Sequence, residues 1–170
     1  MSFINITLFI ILLIAVLTDL SQRRIPNLLT FPAMLLGVLA HSYQSGVGGM
    51  LFSTGGLALG LGLLLIFYIF GMMGAGDVKL MGAVGSFLGP MGVFQAFLFT
   101  ALAGGLYAVV VLALKGELVR FLTRLGMSLY LSIAQRKPAL LPDEAAKELP
   151  VLCYGVAIAV GTTVSMFYRF

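Results

Sequence analysis

Long apolar stretches separated by short polar or glycine-rich joints run along this chain, at 3–19, 28–42, 49–71, 77–89, 91–114 and 150–168. They are continuously apolar, not alternating. That pattern predicts helices, which satisfy their backbone groups within the segment, and not a membrane barrel. A spanning helix needs about 20 residues, so the second stretch is short and the fourth shorter still. Gly89-Pro90 is the turn signal that divides an otherwise overlong run from Val78 to Leu114. The expected fold is all-α, a polytopic membrane helix bundle of about six transmembrane helices. The first stretch does not read as a cleaved signal: residues 1 to 17 hold no Lys or Arg, and no small-residue cleavage site precedes Asp19. It is expected to be a retained helix.

The pattern changes between Lys115 and Pro150. From Glu117 to Gln135, polar residues recur at 117, 120, 124, 128, 132 and 135, with Leu118, Phe121, Leu122, Leu125, Leu129 and Ile133 on the other sides. This predicts a basic amphipathic helix lying along the cytoplasmic membrane face. Pro138 to Glu144 then reads as a loop. No large soluble domain fits, so residues 1–170 are expected to form one membrane domain with an insertion at about 115–149.

Composition agrees with the pattern. Of the 170 residues, 61% are hydrophobic and 9% charged, with a mean hydropathy of +1.11. The net charge of +4 points to no nucleic-acid partner; its distribution is what informs. With six spans and the N-terminus outside, nine of the ten basic residues fall in cytoplasmic loops (Arg23, Arg24, Lys79, Lys115, Arg120, Arg124, Arg136, Lys137 and Lys147) and only Arg169 lies outside. The excess of Lys and Arg on the inner face supports this orientation over its inverse, with both termini outside. The lone Cys153 permits no internal disulfide and no thiolate zinc cluster, and reads as a small buried hydrophobe. The lone His41 reads as an interfacial side chain, not a metal ligand. No metal or other cofactor is expected. Gly56 to Gly60 and Gly85 to Gly89 have the small-xxx-small spacing that lets helices approach closely, within a bundle or between copies in a homo-oligomer.

Asp19 and Asp77 are the only carboxylates in the first hundred residues. An ionisable group in or beside a bilayer is costly, which makes each a candidate for function and each the natural partner of the other. In the six-span topology Asp19 ends the first helix and Asp77 begins the fourth, so both lie at the cytoplasmic leaflet. Two carboxylates a few ångströms apart cannot both ionise cheaply and tend to share one proton. That state suits peptide hydrolysis without a covalent intermediate: one carboxylate takes a proton from water while the other carboxyl hydrogen-bonds the scissile carbonyl. Around Asp77, Gly74 and Gly76 allow unusual backbone angles and close approach of an extended substrate strand. Lys79 stands two residues on and could orient this loop. Arg24, with Arg23, reads first as a headgroup anchor. Pro26-Asn27 is expected to start the second helix, with Pro presetting the backbone and Asn capping.

Thr18-Asp19-Leu20, then Arg24-Ile25-Pro26-Asn27, then Gly74-Ala75-Gly76-Asp77-Val78-Lys79-Leu80 resemble the type IV prepilin leader peptidases, membrane aspartic proteases of the Gly-x-Gly-Asp class. Tyr154 to Gly161 is similar to that family's last helix, with Val151-Leu152-Cys153 standing between Pro150 and Tyr154 as a departure. The resemblance implies a bacterial inner-membrane endopeptidase that removes a short basic leader from prepilins or pseudopilins at the cytoplasmic face. It puts Asp19 and Asp77 at the two catalytic positions. The short length resembles the minimal branch associated with tight-adherence (Flp) pili. Longer members also methylate the new N-terminus and carry paired Cys-x-x-Cys motifs; with one cysteine, this chain is not expected to methylate. From the residues alone two rivals stay open: a proton- or cation-coupled membrane transporter, and a non-catalytic scaffold for pilus or secretion assembly.

Overall fold

A computed structural model describes residues 3–116, 119, 123 and 154–167 of the chain, and the regular structure among them is helical. Helix α1 is Phe3–Gln22, α2 Asn27–Ile69, α3 Ala75–Leu114 and α4 Tyr154–Phe167. The described residues belong to two compact units, one of 1–104 with 153–170 and the other of 105–152. In the second, α3 closes at Gly116 (φ 69°), whose N–H donates to the Ala113 carbonyl at 3.0 Å. The amphipathic helix expected at 117–135, apart from Val119 and Thr123, lies outside the described residues, as do the 138–144 loop and Cys153.

The all-α membrane bundle stands, but the expected six spans do not. Among the described residues three helices, α1, α2 and α3, are long and apolar enough to cross a membrane, and α4 is a shorter apolar helix of 14 residues. Two of the joints read as loops, those around 43–48 and 89–90, are absorbed into helices. In α2 only Ser45 and Gly46 leave helical geometry, and in α3 only Gly89 does. Hydropathy registers the polar or glycine-rich joint but not its brevity.

Both long helices break for a physical reason. Forty-three residues of straight helix would extend about 65 Å, twice the hydrocarbon thickness. Gly46, at φ 59° and ψ −137°, supplies the left-handed residue that turns α2. The turn folds the helix back on itself, so that Gly49 lies directly against the His41 carbonyl.

In α3 the break is at Gly89 (φ 73°) followed by Pro90, which has no N–H for the Ser86 carbonyl four residues earlier. In an apolar medium a freed carbonyl needs a new donor. The Ser53 hydroxyl donates to Ser86 O at 2.6 Å, and His41 Nε2 donates to Phe87 O at 2.9 Å. His41 is thus a half-buried cross-helix donor, its ring edge-on to Phe52.

Close packing of α2 on α3 follows the glycine spacing. Gly56 meets the Gly85 carbonyl and Gly89, Gly85 meets the Gly56 carbonyl, and Gly60 meets Met81. On the other limb of α2, Gly37 meets the Ser86 side chain. The small-xxx-small motifs therefore act inside the bundle. Helix α1 packs on α2 and α4 through a stripe of Ile4, Leu8, Ile11, Leu12, Ala15 and Asp19, all buried. The spacing is that of one helix face, and it carries Asp19 inward.

Gly85→Val is expected to destabilise the protein by about 2–3 kcal/mol, since its side chain would enter the α2 backbone. Gly62→Ala, with open space around it, is expected to cost nothing. Unfolding of the detergent-solubilised variants by titration with SDS compares the two.

Candidate active site

Asp19 comes from the last turn of α1. It is 7% exposed, and its Oδ2 accepts a hydrogen bond of 3.0 Å from the Gly155 N–H at the start of α4. Four residues on, Arg23 ends the helix in the left-handed region (φ 52°), with its N–H donating to the Asp19 carbonyl at 2.9 Å. This is a helix stop that usually employs glycine.

Asp77 sits in the first turn of α3 and is half-buried. Its Oδ2 accepts from the Gly74 N–H at 3.2 Å, and its own N–H donates to the Gly74 carbonyl at 3.1 Å. The carboxylate thus reaches back to the residue preceding the helix, the acidic half of a capping box. Gly74 and Gly76 do not have the unusual backbone angles expected of them, for neither has positive φ. What they provide is room. Gly74 is exposed, whereas the place of a Gly76 side chain is taken by Ile25, with Cβ at 3.1 Å and the carbonyl at 3.3 Å.

The connector after Asp19 is therefore pressed against the first turn of α3, which carries Asp77, and a second contact ties it there. Lys79 Nζ donates to Asn27 Oδ1 at 2.8 Å and stands 5.1 Å from the centre of the Phe31 ring. Asn27 does not cap α2 as expected. Pro26 holds the cap position, at φ −70° and ψ 141° and with no side-chain cap bond, and the Asn27 side chain is committed to Lys79. Arg24 is exposed, with no hydrogen bond or ion pair to the candidate residues.

Together these contacts bring Asp19 and Asp77 close enough for their charges to act on each other, and the Asp77 charge also reaches the Tyr154 phenol. Such a pair can activate water and polarise a carbonyl between its two members. The model of the type IV leader peptidase family matches residues 6–109, which hold both aspartates and most of the helices that carry them. The chain belongs to the type IV leader peptidase family. No curated protein and no solved structure matches it. This leader peptidase is accordingly a membrane aspartic endopeptidase of the prepilin-processing kind.

Two residues at the leader peptidase site escaped the sequence reading. Ile25 looks like any apolar residue in a connector, and nothing local marks its fit to Gly76. Gly155 is separated from Asp19 by 136 positions, and its signals were a glycine near the start of the last apolar run and the similarity of Tyr154 to Gly161 to the family's last helix, neither of which points to Asp19. Among the described residues, no three His, Cys, Asp or Glu side chains of the leader peptidase come together as a metal site.

Asn27→Ala and Lys79→Met should each loosen the connector. A double-mutant cycle on unfolding free energy is expected to give a coupling of about 1 kcal/mol for the pair, and additive effects would show the contact to be idle.

Proposed function

We propose that Asp19 and Asp77 are the catalytic pair of this leader peptidase and that they remove the basic leader of a prepilin or pseudopilin at the cytoplasmic membrane face. The observation that carries this reading is that two carboxylates from separate helices stand at one end of the bundle, near enough for the Asp19 charge to act on Asp77. Peptide hydrolysis by such a pair needs one ionised member and one protonated member. Two facing carboxylates sharing a proton supply both. The ionised carboxylate takes a proton from water as its oxygen attacks the scissile carbonyl, and the protonated one hydrogen-bonds the carbonyl oxygen. Proton return to the leaving amine then breaks the C–N bond and regenerates the pair.

The bare edge at Gly74 and Ala75, both exposed, suits an extended strand. A strand at Gly76 would meet Ile25. The substrate backbone is therefore read as crossing the Gly74 side.

Orientation is supported by charge near the site. Arg23, Arg24 and Lys79 all lie within a few residues of the aspartates, which favours the cytoplasmic leaflet. Helix α1 reaches Asp19 from the far side over about 25 Å, and α4 leaves Asp19 in the opposite sense, so both described termini are read as outside. A substrate with a basic leader and an apolar helix would set its charged end at this surface and its helix in the bilayer. Transport is the weaker reading, because the carboxylates stand at helix ends and not at mid-span.

Asp19→Asn and Asp77→Asn, each co-expressed with a prepilin, are expected to lower processing by about 10²–10⁴-fold. Leader removal is followed by gel mobility. Wild-type processing by either variant overturns the assignment.

A further inference from the structure

Asp19 makes a hydrogen bond that the hydrolytic chemistry above leaves unused. Its donor, the Gly155 N–H, belongs to α4, which lies beyond the stretch that matches the family. The first N–H groups of a helix have no partner within it, and a carboxylate placed there gains both a charge-assisted bond and the favourable end of the helix dipole.

The fit is specific to glycine. A Cβ at position 155 would stand 2.8 Å from Asp19 Oδ2, 3.1 Å from its Cγ and 3.2 Å from its Cβ, and these are the nearest atoms. One residue earlier, the Tyr154 ring edge lies 3.8 Å from where a Gly104 side chain would begin on α3, within reach of the Asp77 charge. The head of α4 thus touches Asp19 and lies within range of the Asp77 charge.

An aspartate carboxyl turns easily about its last torsion. Anchoring Oδ2 on a backbone amide fixes that torsion and leaves Oδ1 free to face the reacting groups. We propose that the first turn of α4 is the positioning element of the hydrolytic site, with the Gly155 N–H orienting Asp19 toward Asp77 and glycine required at 155 to admit the carboxylate. The proposal rests on the reading of Asp19 and Asp77 as the catalytic pair.

Gly155→Ala separates positioning from folding, because the added methyl meets a side chain that can move and not a backbone that cannot. The expected result, with a prepilin substrate and purified enzyme in detergent, is a kcat lowered at least about tenfold and a KM within about twofold of wild type. Gly161→Ala on the same helix meets the backbone of Thr100. It should lower the melting temperature and leave kcat per folded molecule unchanged.

A second measurement needs no fold to survive at position 155. In protein labelled with [15N]glycine, the Gly155 amide resonance should move on Asp19→Asn. A wild-type kcat for Gly155→Ala, or an amide resonance that ignores Asp19→Asn, overturns the proposal. Should Gly155→Ala not accumulate, the resonance decides alone. If both aspartate variants still cleave, the catalytic assignment fails; if they are inactive and Gly155→Ala has wild-type kcat, only the positioning role fails.

Discussion

Between Leu80 and Gly89 every residue of α3 is buried, so this limb is enclosed by protein on all sides and not by lipid. Enclosure sets the terms for the rest of the bundle. Helices can surround another helix this tightly only if side chains are removed along the contacts, and Gly37, Gly56, Gly60 and Gly85 remove them where α2 approaches α3. The limb also ends in a break, which leaves carbonyls without donors in an apolar medium. Ser53 and His41 replace the missing donors from the two limbs of α2. The break, the fold-back of α2 and the burial of α3 are therefore one arrangement.

The end that carries the two aspartates takes its placement from that arrangement. Asp77 is the third residue of the enclosed helix and is held by its own first turn. Asp19 stands on the inward stripe of α1, next to the connector that Ile25 and Asn27 bind to the α3 loop. One carboxylate is thus fixed by local geometry and the other by tertiary contacts. Lys79, the nearest cation in sequence to Asp77, is spent on Asn27 and Phe31. Its charge organises the rim between α2 and α3 and not the carboxylate two residues away.

How much of this could be read from residue order follows the same division. That Asp19 and Asp77 lie near enough for one charge to act on the other was legible because charge is expensive in an apolar chain, which marks two isolated carboxylates as natural partners. The glycine contacts of α2 with α3 were legible from their four-residue spacing. The helix count was not. Ser45-Gly46 and Gly89 interrupt a helix for one or two residues, and hydropathy cannot distinguish such a break from a loop. The segment 77–89 looked short for a spanning helix; it is the first limb of a longer broken helix, buried from Leu80 to Gly89. Nor could polarity show which side of α1 faces inward, because Phe9, Leu13 and Leu17 on the exposed side are as apolar as Leu8 and Leu12 on the buried side.

The anchors of the two aspartates differ in sequence distance, and that difference explains both what was read and what was missed. The Gly74 amide that holds Asp77 is three residues away, so Gly-x-Gly-Asp carries its own structural reason: a helix start whose acid reaches back to a bare amide. The Gly155 amide that holds Asp19 is 136 residues away, across the segment of most different composition in the chain. No short motif can encode such a contact; only the docking of α4 on α1 creates it. An aspartate on a helix terminus is common and mostly structural. What separates this pair from two capped helix ends is that each keeps one oxygen anchored on a backbone N–H while the charge of Asp19 acts on Asp77, the coupling from which a shared proton can arise.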